Sequence, residues 1–191
     1  MRINWKYLLV LFLILTACGD SPVPKPRGYF RIDMPEKAYR SFDTNFPYTF
    51  EYPVYAEITP DPYAPEEPYW INVNFPDFRG QLHLSYKILN DTNLIGYLED
   101  SRNFVVKHIP KASAINDSLI YDMDRTLYGI FYEIKGVGAA SPFQFFVTDS
   151  TSHFVRGALY FTVRPNNDSL APVIDFLEKD IDRMLRTFRW K

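Results

Sequence analysis

Asp149-Ser150-Thr151-Ser152-His153 places the side-chain types of acyl transfer within five consecutive residues. Such chemistry needs a serine nucleophile, a histidine to take its proton, a carboxylate to orient that histidine, and donors for the oxyanion. Those groups must converge in space, which neighbours in one tight loop rarely do. No Gly-x-Ser-x-Gly elbow is present, and a polar hairpin tip accounts for the same letters. His83, His108 and His153 fall in different predicted elements and form no metal spacing with one another or with cysteine. Gly136-Val137-Gly138 lacks the further glycine or lysine of a phosphate loop and has no clear helix behind it. Asp61, Glu66 and Glu67 are broken up by prolines and offer no twelve-residue calcium loop. These residues imply no cofactor, no metal and no enzyme.

The one cysteine, Cys18, is a different matter. Arg2 and Lys6 precede an unbroken apolar run from Tyr7 to Leu15, and Leu15-Thr16-Ala17-Cys18 closes it. The run is short of the ~20 apolar residues that a permanent membrane helix needs. The small residues before Cys18 suit a signal peptidase, and the segment resembles the lipobox of bacterial lipoproteins. That resemblance implies that residues 1–17 are a signal peptide and that Cys18 becomes an acylated N-terminus. Each buried methylene contributes about 0.8 kcal/mol, so two or three chains hold a domain at a membrane almost permanently. A lone cysteine leaves no pair for a disulfide.

Loss of residues 1–17 takes Arg2 and Lys6 from the 21 basic residues and none of the 23 acidic ones, which moves the net charge from −2 to −4. A mildly acidic chain without a basic stripe argues against nucleic acid and against electrostatic docking on anionic lipid. Attachment then falls to the acyl chains.

Residues 18–45 read as a lipidated tether and an arm rich in Pro, Arg and aromatics. Pro22, Pro24 and Pro26 favour extended backbone. Arg27, Tyr29, Phe30 and Arg31 follow, and Arg and Tyr are types that anchor interfaces. Two readings stay open: the arm meets a partner through those four residues, or it packs back on its own domain.

Residues 46–191 suit a single α+β domain. Strands are predicted at 48–53, 70–75, 82–88, 118–123, 126–135, 143–148 and 154–164 from alternating apolar positions. The four prolines at 60, 62, 65 and 68 make 59–69 an exposed acidic loop. Helices are predicted over about 93–107, after the capping run Asn90-Asp91-Thr92, and from a cap at Asp168 or Ser169 to the C-terminus. The second carries its acids (Asp175, Glu178, Asp180, Asp182) ahead of its arginines, as the helix dipole favours. The expected architecture is an antiparallel sheet of about seven strands packed against two amphipathic helices. Its topology resembles the fold shared by PsbP and Mog1 proteins.

Several segments carry a closer resemblance. Pro24-Lys25-Pro26-Arg27-Gly28-Tyr29-Phe30-Arg31-Ile32, Tyr48-Thr49-Phe50-Glu51-Tyr52-Pro53, Leu84-Ser85-Tyr86-Lys87 and Gln144-Phe145-Phe146-Val147-Thr148-Asp149-Ser150 are similar to the gliding motility lipoprotein GldD family of the Bacteroidota. So are Phe154-Val155-Arg156-Gly157-Ala158-Leu159-Tyr160-Phe161 and the terminal Thr187-Phe188-Arg189-Trp190-Lys191. The resemblance implies a non-enzymatic envelope lipoprotein that binds and stabilises components of the gliding and type IX secretion machinery. It supplies no catalytic residues. Gly19 stands where an aspartate retains lipoproteins at the inner membrane in well-studied Gram-negative bacteria, so the outer membrane, facing the periplasm, is expected. The competing reading is a periplasmic lipoprotein that binds a small molecule or glycan in an apolar pocket.

Overall fold

The structure, a computed structural model, describes Gly28 and residues 31–191. The chain divides into two units, Met1–Ile32 and Asp33–Lys191. The second carries, in order, β1 (Tyr39–Phe42), β2 (Tyr48–Pro53), β3 (Glu57–Pro60), β4 (Ile71–Phe75), β5 (Gly80–Ile88), α1 (Leu94–Val106), β6 (Ala114–Asp122), β7 (Leu127–Lys135), β8 (Phe143–Thr148), β9 (His153–Phe161), α2 (Asn167–Thr187) and β10 (Arg189–Trp190).

Seven strands form one antiparallel sheet in the order β3-β4-β5-β9-β8-β7-β6. The α+β class, the seven-stranded sheet and the two helices are thus as the sequence predicts, with one exchange of membership. Residues 48–53 leave the large sheet for a smaller one of order β1-β2-β10. Their place is taken by β3, which reaches into the proline-rich stretch expected to be loop. Pro60 is tolerated because β3 is an edge strand and Pro60 ends it.

The helices take opposite faces of the large sheet. On β8, where every residue is buried, Phe143, Phe145 and Val147 join the main core while Phe146 faces the other way. The main core packs them against Val173, Leu177, Ile181 and Met184 of α2. Phe146 packs with Phe154 and Leu89 beneath Leu94, Tyr97 and Leu98 of α1. A strand buried on both faces loses the alternation that marks a single core face. The small sheet extends the main core with stacked aromatics: Phe42 on Phe50 at 5.0 Å and Tyr48 on Phe188 at 5.5 Å between ring centres.

α2 begins at Asn167, ahead of the expected cap, because the Asn167 side chain donates to the carbonyls of Gly136 and Ala139 and ties the helix start to the β7–β8 loop. Its other end is held by Arg125. One guanidinium nitrogen donates at 2.8 Å to each of the Leu185 and Arg186 carbonyls, while Nε bonds Asp122. Orphaned helix carbonyls thereby gain a cationic partner.

Residues 33–45 lie in the same compact unit as the rest of the chain to Lys191. β1 pairs along β2, and Phe42 is buried in the core. The lock is Asp180 of α2, a carboxylate that is only 2% exposed. It accepts from the Tyr39 hydroxyl at 3.0 Å and from the Tyr55 hydroxyl, and it pairs with the Lys37 ammonium at 2.7 Å. Lys37 also donates to the Phe176 carbonyl and lies 3.3 Å from the centre of that residue's ring.

This lock sets an alkaline limit on the fold. Burial, then the bond to Asp180, raises the Tyr39 phenol to about 12 and pushes Tyr55 up as well. Burial also raises Tyr48. Unfolded phenols ionise near pH 10. Their contribution is therefore complete below pH 10 and is lost as pH rises to 12 and beyond. Lys37, lowered by burial against the pull of Asp180, acts in the opposite sense and softens the slope. The urea midpoint is expected to fall steeply between pH 10 and 12, and less steeply in Tyr39→Phe. A midpoint that stays level to pH 12 would deny the phenols this role.

Candidate functional site

The loop most suggestive of catalysis is a hairpin tip between β8 and β9. Asp149 Oδ1 accepts from the backbone N–H of Thr151, Ser152 and His153 at 2.8–3.0 Å, and Ser150 adopts φ 69°. The side chain thus closes the turn itself. His153 Nδ1 lies 2.7 Å from the Tyr86 hydroxyl, and its ring stacks on Trp190. Nothing in this arrangement sets the imidazole to take a proton from serine. Among the described residues no group of histidine, cysteine and carboxylate side chains could hold a metal ion.

Cys18, read as the acylation site, and Arg27, Tyr29 and Phe30 of the expected partner site lie outside the described residues, while Arg31 of that site is exposed. The arm past residue 33 is occupied with its own domain, as Lys37 and Tyr39 show.

Two surfaces that sequence reasoning did not single out have the makings of a site. The first is β6. It is nine residues long, forms one edge of the large sheet, and pairs only with β7. Leu119 and Tyr121 on it are 76% and 63% exposed. Beside it an open groove of about 560 Å³ runs to α2, lined by Ile120, Phe131 and Leu185 with Glu178, Lys179 and Arg186. The opposite edge, β3, has four residues and ends in proline. Free edges of that length usually carry Lys, Pro or a bulge against unwanted pairing, and β6 carries neither lysine nor proline.

The second is a cavity of about 420 Å³ on the α1 side of the sheet. β5 brings His83 and Ser85, β9 brings Arg156 and Tyr160, and α1 brings Tyr97 and Phe104. Trp70, just before β4, adds an aromatic wall. The sheet register makes Ser85 and Arg156 cross-strand partners. Arg156 donates to the Gln144 side-chain oxygen Oε1 at 2.8 Å, and its guanidinium lies 4.2 Å from the Phe104 ring centre. Gln144 in turn reaches His108 Nε2 at 2.9 Å. Burial lowers the pKa of His83, and burial followed by the Arg156 charge lowers that of His108, so both imidazoles are neutral at pH 7. In the sequence these residues look like the solvated half of alternating strands. Only the packing of α1 over that face turns them inward.

Among the described residues no helix is long and apolar enough to cross a membrane. Fold and surface together describe an α+β domain with a long open sheet edge and a polar–aromatic cavity. The chain belongs to the gliding motility lipoprotein GldD family, whose model matches residues 19–190. It is therefore a lipoprotein of the cell envelope, held at a membrane. Among solved structures it is similar to the solution structure of cyanobacterial PsbP (CyanoP) from Synechocystis sp. PCC 6803, at 11% identity and a TM-score of 0.48, over 90% of this chain and 100% of that one. No curated protein matches the chain in sequence.

Proposed function

We propose that this lipoprotein is a non-enzymatic docking component, which binds and stabilises other envelope proteins of the gliding and type IX secretion machinery. Acyl chains on Cys18 hold it, at the outer membrane on the periplasmic side. The observation that carries the docking role is the β6 edge. An extended partner segment adds to such an edge through main-chain hydrogen bonds, and side-chain pockets supply specificity. Leu119 and Tyr121 give it apolar anchors, and the groove towards α2 receives alternate side chains. The Arg27, Tyr29, Phe30 and Arg31 cluster is a second contact, placed between the anchor and the domain.

The test is a crosslinking pull-down of the native, lipidated protein from its own membranes at matched abundance. It compares wild type, Leu119→Lys/Tyr121→Lys, and Arg27→Ala/Tyr29→Ala/Phe30→Ala. Exposed substitutions of the first kind change stability by about 0.5 kcal/mol or less. The expected result is recovery of gliding and secretion components from wild type, at least tenfold less from the β6 variant, and a partial loss from the arm variant. Recovery unchanged in the β6 variant moves docking away from this edge. A wild-type protein that captures no gliding or secretion component overturns the docking role.

A further inference from the structure

The cavity beneath α1 contains more polar capacity than the fold uses. Arg156 sits half-buried at its floor, and its charge is met by the Gln144 side-chain oxygen, the Tyr160 hydroxyl and the Phe104 ring. None of these is an anion. Gln144 cannot serve better, since its amide group is committed to His108 and its Oε1 to Arg156. A cation withdrawn from water without a carboxylate is costly unless something else compensates it. His83, also half-buried, makes an edge contact with Tyr160 but no hydrogen bond among the described residues. Its cross-strand partner Asn72 is 1% exposed, and Asn72 Oδ1 finds no donor. Orphaned buried acceptors of this kind are rare in folded proteins. A guanidinium without a carboxylate, an imidazole without a hydrogen bond and a buried carboxamide oxygen without a donor thus stand on three neighbouring strands.

The walls limit what could supply those partners. Trp70 and Tyr97 offer aromatic surface, and Lys87 stands 4.7 Å from the Trp70 ring centre. Asp61 and the exposed Asp100 lie at the rim. Rim carboxylates accept from hydroxyls and repel a doubly charged group such as phosphate. One negative charge at Arg156, hydroxyls towards His83 and the rim, and an apolar ring face against the aromatics describe a single chemical class. We propose that this cavity binds a saccharide ring bearing one carboxylate, with Arg156 as the anion anchor and His83 as a hydroxyl partner. Its volume of about 420 Å³ accommodates one such ring and part of a neighbour. The inference stands apart from docking at β6, which uses the far edge of the same sheet.

Titration calorimetry on the full lipidated protein in nanodiscs tests it, with D-glucuronate against D-glucose and N-acetylmuramic acid against N-acetylglucosamine. The acidic member of each pair is expected to bind at least tenfold more tightly. A response to glucuronate alone indicates a uronic acid source, and one to the muramyl sugar alone a cell-wall source; both support the site. Arg156→Gln should abolish the preference for the acid. His83→Ala, which removes no hydrogen bond from the fold, should weaken acidic and neutral sugars alike by about fivefold while the melting temperature stays within 2 °C. Binding by none of the four sugars overturns the proposal. So does equal affinity within each pair, or unchanged affinity in His83→Ala.

Discussion

Asp180→Ala is expected to lower the melting temperature by about 6–12 °C. Asp180 is a buried acid with three donors converging on it, from Lys37, Tyr39 and Tyr55. Removing one member of a buried ion pair costs about 3–5 kcal/mol, because the other charge is left uncompensated. Lys37 keeps a quarter of its side-chain surface in water, so the lower end, about 3 kcal/mol, applies here. For a domain of this size each kcal/mol moves the melting temperature by about 2–4 °C. The damage should also be local. Hydrogen exchange should accelerate first at Arg40, Ser41 and their β2 partners Tyr52 and Glu51, before the large sheet opens. Asp180→Leu combined with Lys37→Met should recover part of the loss, since replacing both charges leaves none stranded. A melting change below 2 °C in the single variant would show that the cluster merely decorates α2. The consequence reaches function, because the lock fastens the segment through which the chain passes from the proposed acyl anchor into the folded unit.

Asp180 also shows where sequence reading stops. Along α2 it reads as one more acid in a dipole-ordered series, because its partners lie 125 and 141 residues away. The apolar stripe of the same helix, Val173, Leu177, Ile181 and Met184, is legible because its spacing repeats within the element. β4 and β5 are legible for the same reason under a period of two. β10 is not: it is two residues long and exists only because Trp190 pairs with Tyr48 across the fold. β3 was hidden by Pro60, whose meaning depends on whether the strand lies at an edge. The hairpin tip at 149–153 was readable, since Asp149 builds its turn from immediate neighbours. Arg156 and His83 announced alternation and nothing more. What turns them from surface into site is α1 on the second face, and no local pattern tells a helix which face to cover. The Cys18 segment is the opposite case, a short-range code that needs no fold to be read.

Gly129→Ala is expected to be the most damaging small substitution in the sheet, at about 3–5 kcal/mol, the range reserved for steric conflict that packing cannot absorb. A Cβ at Gly129 would stand 1.9 Å from the Phe146 carbonyl oxygen and 2.9 Å from its carbon. Those atoms are backbone of the neighbouring strand, so no rotamer change relieves the clash, and β7 must part from β8. Two other glycines provide the scale. At Gly157 the obstacle is the buried Phe145 ring at 2.2 Å, a side chain rather than backbone, whose displacement the core must absorb, and about 1–3 kcal/mol is expected. At Gly96, inside α1, nothing lies within 4 Å, and alanine should stabilise by up to about 1 kcal/mol. Urea midpoints should therefore rank Gly96→Ala above wild type, then Gly157→Ala, then Gly129→Ala. A midpoint for Gly129→Ala at or above that of Gly157→Ala would show that β7 and β8 have slack in their register. The ranking bears on docking as well. β6 is joined to the sheet only through β7, so parting β7 from β8 also displaces the edge proposed for docking. Gly129→Ala should then lose the components captured at β6, whereas Gly157→Ala, if folded at the assay temperature, should keep them.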